Sequence, residues 1–137
     1  MGTPISMAEA CRRSGVSSHT LRYYESAGLM KNVARAASGR RVYSETDLQW
    51  LEVLKVLRGT GMSIRGIRRL AAMVERGENS LEERIAFFRE WQAELARQIE
   101  FRRQAAKTLK RKIARHEALL EQRRTGHRSA IPCVTGP

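Results

Sequence analysis

Residues 18–25 (SHTLRYYE) carry hydroxyl, guanidinium and phenol groups in the first turns of a predicted helix. Such groups suit contacts to phosphates and base edges when the N-terminus of a helix enters the major groove of DNA. The alternative is a solvated amphipathic helix that buries Leu21 and one tyrosine in a core. Residues 38–43 (SGRRVY) add paired arginines, which on a hairpin beside such a helix could reach phosphates or a minor groove. The two segments together favour nucleic-acid binding.

Serine and glycine positions delimit the helices that would hold these groups. Five serines precede apolar runs of helical period and are expected to cap helices: Ser6, Ser17, Ser44, Ser63 and Ser80. A glutamate follows Ser6 and Ser80 after three residues, which is the capping-box pattern. A glycine-containing turn at 14–17 is typical of a helix-turn-helix. The sequence predicts five helices and, within 29–44, a two-stranded hairpin; the helices span about 7–14, 18–27, 45–60, 64–76 and 81–123.

The last predicted helix carries an apolar seam with heptad spacing. Twelve positions from 81 to 120 follow one another at alternating steps of four and three, and most of them are apolar. The candidate dimer contacts among them are Ile85, Phe88, Leu95, Ile99, Leu109, Ile113 and Leu120. A helix over 81–123 would be about 64 Å long at about 1.5 Å per residue, too long to bury its seam on its own small domain. Packing along its own domain would leave most of the helix in water. We therefore expect a second copy of the chain as its partner.

Composition limits the classes of function. The 137 residues include 26 Lys or Arg against 14 Asp or Glu, and the net charge of +12 favours a polyanionic partner, nucleic acid before an anionic membrane. Two cysteines are too few for a disulfide scaffold or a four-thiolate metal site. No motif unites a nucleophile, a base and an oxyanion site, so we assign no catalytic residue and expect no enzyme. Without a signal-peptide core or a long apolar run, the chain is expected in the cytoplasm.

Three motifs in this order resemble the MerR family of bacterial transcription regulators: TLRYYE at 20–25, GRRVY at 39–43 and TGMSI at 60–64. The resemblance extends over about 5–123. It implies a mainly α fold, with a winged helix-turn-helix and a long helix that pairs antiparallel with its copy in a coiled coil. The implied boundaries are a DNA-binding domain over 5–76 (motif about 7–26, wing about 29–44, second helix pair 45–76), a dimerisation helix over 81–123 and a flexible tail over 124–137.

Carried over position by position, the DNA contacts of the family fall on three elements. The resemblance places them at Ser17, Thr20, Arg22 and Tyr23 in the recognition helix, at Arg40, Arg41 and Tyr43 in the wing, and at Ser63 and Arg65 in the fourth helix. Tyr24 is expected to be half buried. Periodicity assigns ten residues to the core: Met7, Ala10, Val16, Leu21, Leu48, Leu51, Leu54, Leu57, Ile67 and Leu70.

The resemblance implies a homodimer that binds a near-palindromic promoter operator. With RNA polymerase at the promoter, it would activate transcription by bending and undertwisting the DNA. An effector-independent repressor or an architectural DNA-binding protein is the alternative, because no sensor site is visible. A basic coiled-coil protein associated with RNA or the ribosome is a further alternative. Selective binding of one near-palindromic duplex over structured RNA would separate the DNA-binding alternatives from the RNA-associated one.

Cysteine positions bear on the effector. Metal sensors of the family hold soft ions with at least two cysteines near the end of the dimerisation helix. This chain has only Cys133 there, with His116 and His127 at loose spacings, so no metal site and no cofactor are expected. Cys11 is expected to be a small packing residue. In the aldehyde-responsive branch that the chain most resembles, a cysteine stands at the position of Val56, so the small-molecule effector stays unassigned.

Overall fold

The computed structural model describes residues 2–31 and 33–126. Within them lie five α-helices: α1 (Met7–Ser14), α2 (Ser18–Ser26), α3 (Glu45–Gly59), α4 (Ile64–Glu75) and α5 (Leu81–Arg124). The same residues contain three short strands: β1 (Ile5–Ser6), β2 (Ala34–Arg35) and β3 (Arg41–Tyr43). Each predicted helix is confirmed to within one residue at either end, and the mainly helical fold class with a small β wing is confirmed with them.

Serine side chains start α1 to α4. The hydroxyl oxygens of Ser6, Ser17 and Ser63 each accept a hydrogen bond of 3.1 Å from the backbone N–H three residues later. At Ser44 the capping box is complete, because the Asp47 carboxylate also accepts from the Ser44 N–H at 2.9 Å. These contacts satisfy amide groups that the first turn of a helix leaves without an intrahelical acceptor. Local side-chain chemistry therefore sets where the four helices begin.

The prediction of a capping box at Ser80 is wrong. A 3-10 turn over Gly77–Ser80 leads into α5, and the buried Ser80 hydroxyl donates to the Met73 carbonyl oxygen. Glu83, the expected partner of Ser80, instead accepts two hydrogen bonds of 2.9 and 2.7 Å from the Arg76 guanidinium. That guanidinium holds the pKa of the Glu83 carboxyl below its ordinary value. The corner between α4 and α5 is thus closed by a hydroxyl and an ion pair.

The wing is a three-stranded sheet, which corrects the prediction of a two-stranded hairpin. Strand β3 lies between β1 and β2 and is antiparallel to both. The expected hairpin is formed by β2 and β3, with Arg35 opposite Arg41, while β1 pairs Ile5 with Tyr43. Two residues are too short to show strand alternation in the sequence. Their pairing covers the edge of β3 that the hairpin alone would leave open.

The first compact unit extends to Glu90, and its core confirms most of the periodicity. Eight of the ten predicted core residues are buried, whereas Met7 and Leu48 are only half buried. Further buried side chains come from segments without helical period, namely Ile5, Leu29, Met30 and Tyr43. The indole N–H of Trp50 donates to the Leu29 carbonyl oxygen at 2.7 Å and ties α3 to the segment that follows α2. The core therefore joins the helices to the wing.

The second unit begins at Trp91 and, within the described residues, consists of the rest of α5 and its final turn. At the start of α5, in the first unit, Phe87 is 7% exposed and the Arg69 guanidinium carbon lies 5.7 Å from its ring centroid. The neighbouring Phe88 is 41% exposed. None of the helices in the described part of the chain has an apolar stretch long enough to cross a membrane.

Tyr43 combines deep burial with an unsatisfied hydroxyl. The residue is 3% exposed, and within the described residues its phenol oxygen is buried without a hydrogen-bond partner. Burial raises the pKa of the phenol above its ordinary value, so the group stays neutral. An orphaned buried hydroxyl costs free energy that an apolar group of the same shape does not.

Removing this hydroxyl by Tyr43→Phe should therefore not lower stability. We expect the free energy of unfolding to rise by on the order of 1 kcal/mol, because the desolvated oxygen is lost and the ring packing is kept. Chemical denaturation at one protein concentration, followed by circular dichroism, measures the change. Tyr43→Ala is the matched control and should be destabilising by about 3–5 kcal/mol. A drop of more than about 1 kcal/mol in Tyr43→Phe would mean that the hydroxyl has a partner.

Candidate nucleic-acid interface

The turn between α1 and α2 presents the N-terminus of α2. Gly15 ends α1 at a φ of 74°, a left-handed conformation that glycine adopts without strain. Ser17 accepts from the Thr20 N–H and donates to the Thr20 hydroxyl at 2.9 Å. The remaining N–H groups of the first helical turn point outward along the helix axis, where the helix dipole favours an anion. Both residues that the sequence predicted at this position therefore shape a helix start suited to a phosphate.

The two faces of α2 differ sharply in burial. Leu21 is fully buried and Tyr24 is 7% exposed, so Tyr24 is buried rather than half buried as predicted. Arg22 is exposed and Tyr23 is 47% exposed. The tyrosine rings lie 6.2 Å apart between centroids, tilted by 50°. Burial of one face thus leaves a guanidinium and a phenol available on the other.

The wing hairpin carries Arg40 at its tip. The Ala36 N–H donates to the Arg40 carbonyl oxygen at 2.8 Å, and the Gly39 N–H donates to the Ala36 carbonyl oxygen at 2.9 Å. Gly39 has a φ of 85°, which lets the chain reverse in a tight turn. Arg40 is exposed and has no ion-pair partner among the described residues. Its guanidinium is therefore free to meet an anion.

A groove of about 470 Å³ lies between the start of α1, α2 and the wing. Every charged residue that lines it is an arginine: Arg22, Arg35, Arg40 and Arg41. The other lining residues are small or uncharged. The groove brings together the predicted arginines of the recognition helix and of the wing. Concentrated positive charge in a concave surface suits the sugar-phosphate backbone.

Arg41 faces a carboxylate rather than solvent. Its Nε donates to Glu25 Oε2 at the end of α2, and the two side chains are 24% and 25% exposed. Arg35 Nη2 lies 3.5 Å from the other oxygen of Glu25, and Arg35 Nη1 donates to the Gly39 carbonyl oxygen at 3.0 Å. Arg41, which the sequence predicted as a DNA contact, therefore lines the groove with its Nε already bonded to a carboxylate. Tyr43, another predicted contact, is 3% exposed and has its ring in the core.

Ser63 and Arg65 lie at the start of α4 and do not line the groove. Ser63 caps the helix, and Arg65 is exposed. Arg58 holds the preceding turn through a hydrogen bond of 2.8 Å from its Nη1 to the Met62 carbonyl oxygen. The start of α4 is therefore a second, separate helix N-terminus that presents amide groups and a cation.

Sequence reasoning missed the roles of Arg35 and Glu25. Arg35 lies in a two-residue strand with no alternating pattern, and its place opposite Arg41 follows only from the hairpin register. Glu25 belongs to the TLRYYE motif, yet its contacts are with residues 10 and 16 positions later in the chain. Glu45 and Asp47 are nearer to the paired arginines in the sequence, so only the fold identifies Glu25 as their partner.

Metal ligands do not cluster in the described part of the chain, where no group of three or more His, Cys, Asp or Glu could hold an ion. Cys11 is half buried in α1. His116 lies on α5, with its Nδ1 2.7 Å from the Lys112 carbonyl oxygen. Cys133 and His127 lie outside the described residues.

Two family profiles match overlapping parts of the chain. The profile described as "MerR HTH family regulatory protein" matches residues 5–74. The profile described as "MerR, DNA binding" matches residues 48–112, which cover most of α3, all of α4 and much of α5. The two matches together cover the helix-turn-helix, the wing, the second helix pair and most of the long helix.

Individual bacterial regulators are similar to this chain over more than half of its length. An HTH-type transcriptional regulator of Haemophilus influenzae is 42% identical over 81 residues, which are 59% of this chain and 60% of that protein. The regulator HmrR of Sinorhizobium medicae is 34% identical over 106 residues, 77% of this chain and 72% of that protein. The chain thus spans about three fifths of the first relative and somewhat more of the second.

A solved structure extends the match to three dimensions. HiNmlR, a MerR family regulator lacking the sensor domain and crystallised with promoter DNA, superposes with a TM-score of 0.76 at 32% identity. The superposition covers 90% of this chain and 96% of that chain. The family consists of transcription regulators, which confirms the prediction that the chain is not an enzyme. Its sequence motifs, its winged helix-turn-helix and these matches show that the chain belongs to the MerR family of DNA-binding transcription regulators.

Proposed function

We propose that the chain acts as a homodimer that binds a near-palindromic promoter operator and regulates transcription by distorting the DNA. The observation that carries the proposal is the groove in which α2 and the wing place four arginines on one surface. The promoter-bound structure of HiNmlR supports the same class of ligand. The proposal places the activity in the bacterial cytoplasm, on the nucleoid, with RNA polymerase at the promoter as functional partner.

Each half of the operator would be held by three contact regions. Exposed Arg22 and Tyr23 on α2 suit base edges in the major groove, with Ser17 and Thr20 at the helix start beside a phosphate. Arg40 at the wing tip suits a phosphate or a minor groove. The start of α4, with Ser63 and Arg65, adds a backbone contact.

Exposed apolar side chains on α5 support dimerisation. The predicted seam is exposed in the single chain, with fractions between 41% and 62% for all its members but one: Ile85, Phe88, Ile99, Leu109, Ile113 and Leu120. The remaining member, Leu95, is half buried. Burying one such side chain fully contributes about 1.5–3 kcal/mol, so several together favour association strongly. A second α5 offers the complementary surface.

Charge along α5 supports an antiparallel pairing. Residues 81–100 contain five Glu and three Arg, whereas residues 101–124 contain two Glu and nine Lys or Arg. Parallel pairing would place the two strongly basic halves side by side. Antiparallel pairing places each basic half beside the acidic half of the partner, which lowers repulsion.

The proposed domain organisation is a DNA-binding domain over 5–76, a coiled-coil helix over 81–123 and a tail over 124–137. In the structure α5 continues to Arg124. Residues 127–137 lie outside the described residues, so the tail stays a proposal from the sequence.

An antiparallel dimer would hold two recognition helices at a fixed separation on one face of a duplex. Bending a site of about 20–30 base pairs costs on the order of 1–6 kcal/mol, which phosphate contacts from two wings and two α4 starts can offset. The central base pairs would be distorted without being contacted. Activation would then follow when distortion brings promoter elements on an over-long spacer into register for RNA polymerase.

Two arginines should contribute differently to DNA binding. Arg22→Ala should weaken binding of a selected duplex by about 1–3 kcal/mol per half-site and relax its sequence preference, because a base contact is lost. Arg40→Ala should weaken all duplexes and lower the dependence of log K on log salt, because a phosphate contact is lost. Fluorescence anisotropy over a salt series measures both. Arg97→Ala on α5, which removes one exposed charge, is the control. Wild-type affinity in both variants would contradict the contact assignment.

Charges in the seam should separate the dimer. Leu95→Lys with Ile99→Lys would place ammonium groups in an apolar interface, where unpaired charge is costly. Size exclusion with light scattering should show monomers at micromolar concentration and a dimer for the unmodified protein. Ala93→Lys with Ala114→Lys, two exposed positions outside the seam, should leave the dimer intact. A monomeric unmodified protein would refute the proposal.

DNA in the complex should be bent and unwound at its centre. Circular-permutation mobility should indicate bending by tens of degrees, and chemical probes should react with unstacked central bases. Transcription in vitro should lose its dependence on the protein when the promoter spacer is shortened. Straight DNA, with transcription unaffected by spacer length, would exclude distortion and leave occlusion by a repressor.

A further inference from the structure

We propose that Glu25 is the positioning residue of the wing, and that its carboxylate sets the wing against the recognition helix for DNA binding. The inference rests on the proposed DNA-binding function and adds to it a residue that does not itself touch DNA. In this proposal Arg35 and Arg41 are the partners through which Glu25 holds the wing. Arg22 and Arg40 are left as the arginines of the groove that meet the nucleic acid.

The geometry of one carboxylate supports this role. Glu25 lies in the last turn of α2, and each of its oxygens faces a different strand of the hairpin. Oε2 accepts from Nε of Arg41 on β3, and Oε1 lies 3.5 Å from Nη2 of Arg35 on β2. Arg35 also binds the Gly39 carbonyl oxygen of the hairpin turn at 3.0 Å. A single side chain of α2 therefore connects to both strands and, through Arg35, to the turn.

The register of the wing makes this carboxylate necessary. Arg35 and Arg41 are directly opposite each other in the antiparallel pair, and like charges at such positions destabilise a sheet. Glu25 lies between the two guanidinium groups and offsets their repulsion. Without it, we expect the hairpin to shift away from α2 or to splay.

Burial separates this ion pair from the others. The Arg41 and Glu25 side chains are 24% and 25% exposed. Glu25 also pairs with Arg35, which is 49% exposed. In all other ion pairs of the described residues, both side chains are more than a third exposed. Exposed ion pairs contribute little because water and salt screen them. Partial burial strengthens the attraction and fixes the geometry.

Two opposite effects on DNA binding follow from a carboxylate beside a phosphate-binding groove. Its negative charge repels phosphates, so its removal would strengthen binding if charge alone mattered. Its ion pairs hold Arg40 in place, so its removal would weaken binding if position mattered. If Glu25 positions the wing, the loss of Arg40's position must outweigh the loss of repulsion when a selected duplex is bound. On non-specific DNA, the loss of repulsion should offset more of the weakening.

The test compares Glu25→Gln with the matched control Glu83→Gln. Glu83 pairs with Arg76 at the α4–α5 corner and does not line the groove, and its change adds the same charge. The probe is a duplex selected by the unmodified protein from a random-sequence pool. Glu25→Gln should weaken its binding about tenfold and lower the salt slope, and it should weaken binding of an unrelated duplex less, because the lost carboxylate no longer repels phosphates. Glu83→Gln should change binding less than about twofold.

A double-mutant cycle distinguishes positioning from general damage. If Glu25 acts by holding Arg40, the loss from Glu25→Gln should shrink when Arg40→Ala is already present. Additive losses, or selected-duplex affinity that stays equal or rises in Glu25→Gln, would overturn the proposal. Circular dichroism melting shows whether each variant folds. If Glu25→Gln melts early, Glu25→Asp replaces it, because aspartate keeps the charge on a shorter side chain. The affinity of Glu25→Asp for the selected duplex should then lie between those of the wild type and Glu25→Gln.

Hydrogen exchange of the wing separates this proposal from the proposed function. Amide exchange over residues 34–43, measured without DNA, should quicken in Glu25→Gln and not in Glu83→Gln. If the unmodified protein selects no duplex, the proposed function fails, whereas quickened exchange would still show Glu25 holding the wing. Unchanged exchange in Glu25→Gln would overturn the positioning role whatever the protein binds.

Discussion

Mutual repulsion among arginines is the constraint under which the groove is built. Binding a polyanion needs several cations on one surface, yet guanidinium groups brought together in the free protein raise its energy. The structure meets this constraint unevenly. Arg35 and Arg41 share the Glu25 carboxylate, whereas Arg22 and Arg40 stay exposed and without ion-pair partners among the described residues. Half of the positive charge thus stabilises the fold, and half remains for the ligand.

The two faces of the recognition helix are likewise divided, one packing in the core and the other left for the ligand. Leu21 and Tyr24 lie in the core, and their burial turns Arg22 and Tyr23 outward. Helical geometry places residues 21 and 24 on one face, so a helix only nine residues long needs few apolar anchors to fix its orientation. Ser17 and Gly15 then set where this helix begins relative to α1. A chain of mainly local contacts thus orients the side chains proposed to read DNA.

Local signals were predictable from the sequence, and long-range ones were not. Serine caps and glycine C-caps placed α1 to α4 to within a residue, since each depends on neighbours three or four positions away. At Ser80 the pattern was misleading, because the competing acceptor, the Met73 carbonyl, is seven residues away. Tyr43 matched the family's contact pattern, but its pairing with β1 buries it. Which arginines are free depends on Glu25, whose partners are fixed only by the folded wing.

The proposed pairing through the exposed seam of α5 would make DNA binding depend on the abundance of the protein. The described part of a single chain presents this groove once, and the proposed near-palindromic site would need two copies of it. Below the concentration at which α5 pairs, site occupancy would therefore rise with the square of the amount of protein rather than in proportion to it. A modest change in synthesis or degradation would then move a promoter from empty to occupied. Under the proposed pairing, the cell's supply of the regulator would itself act as a signal.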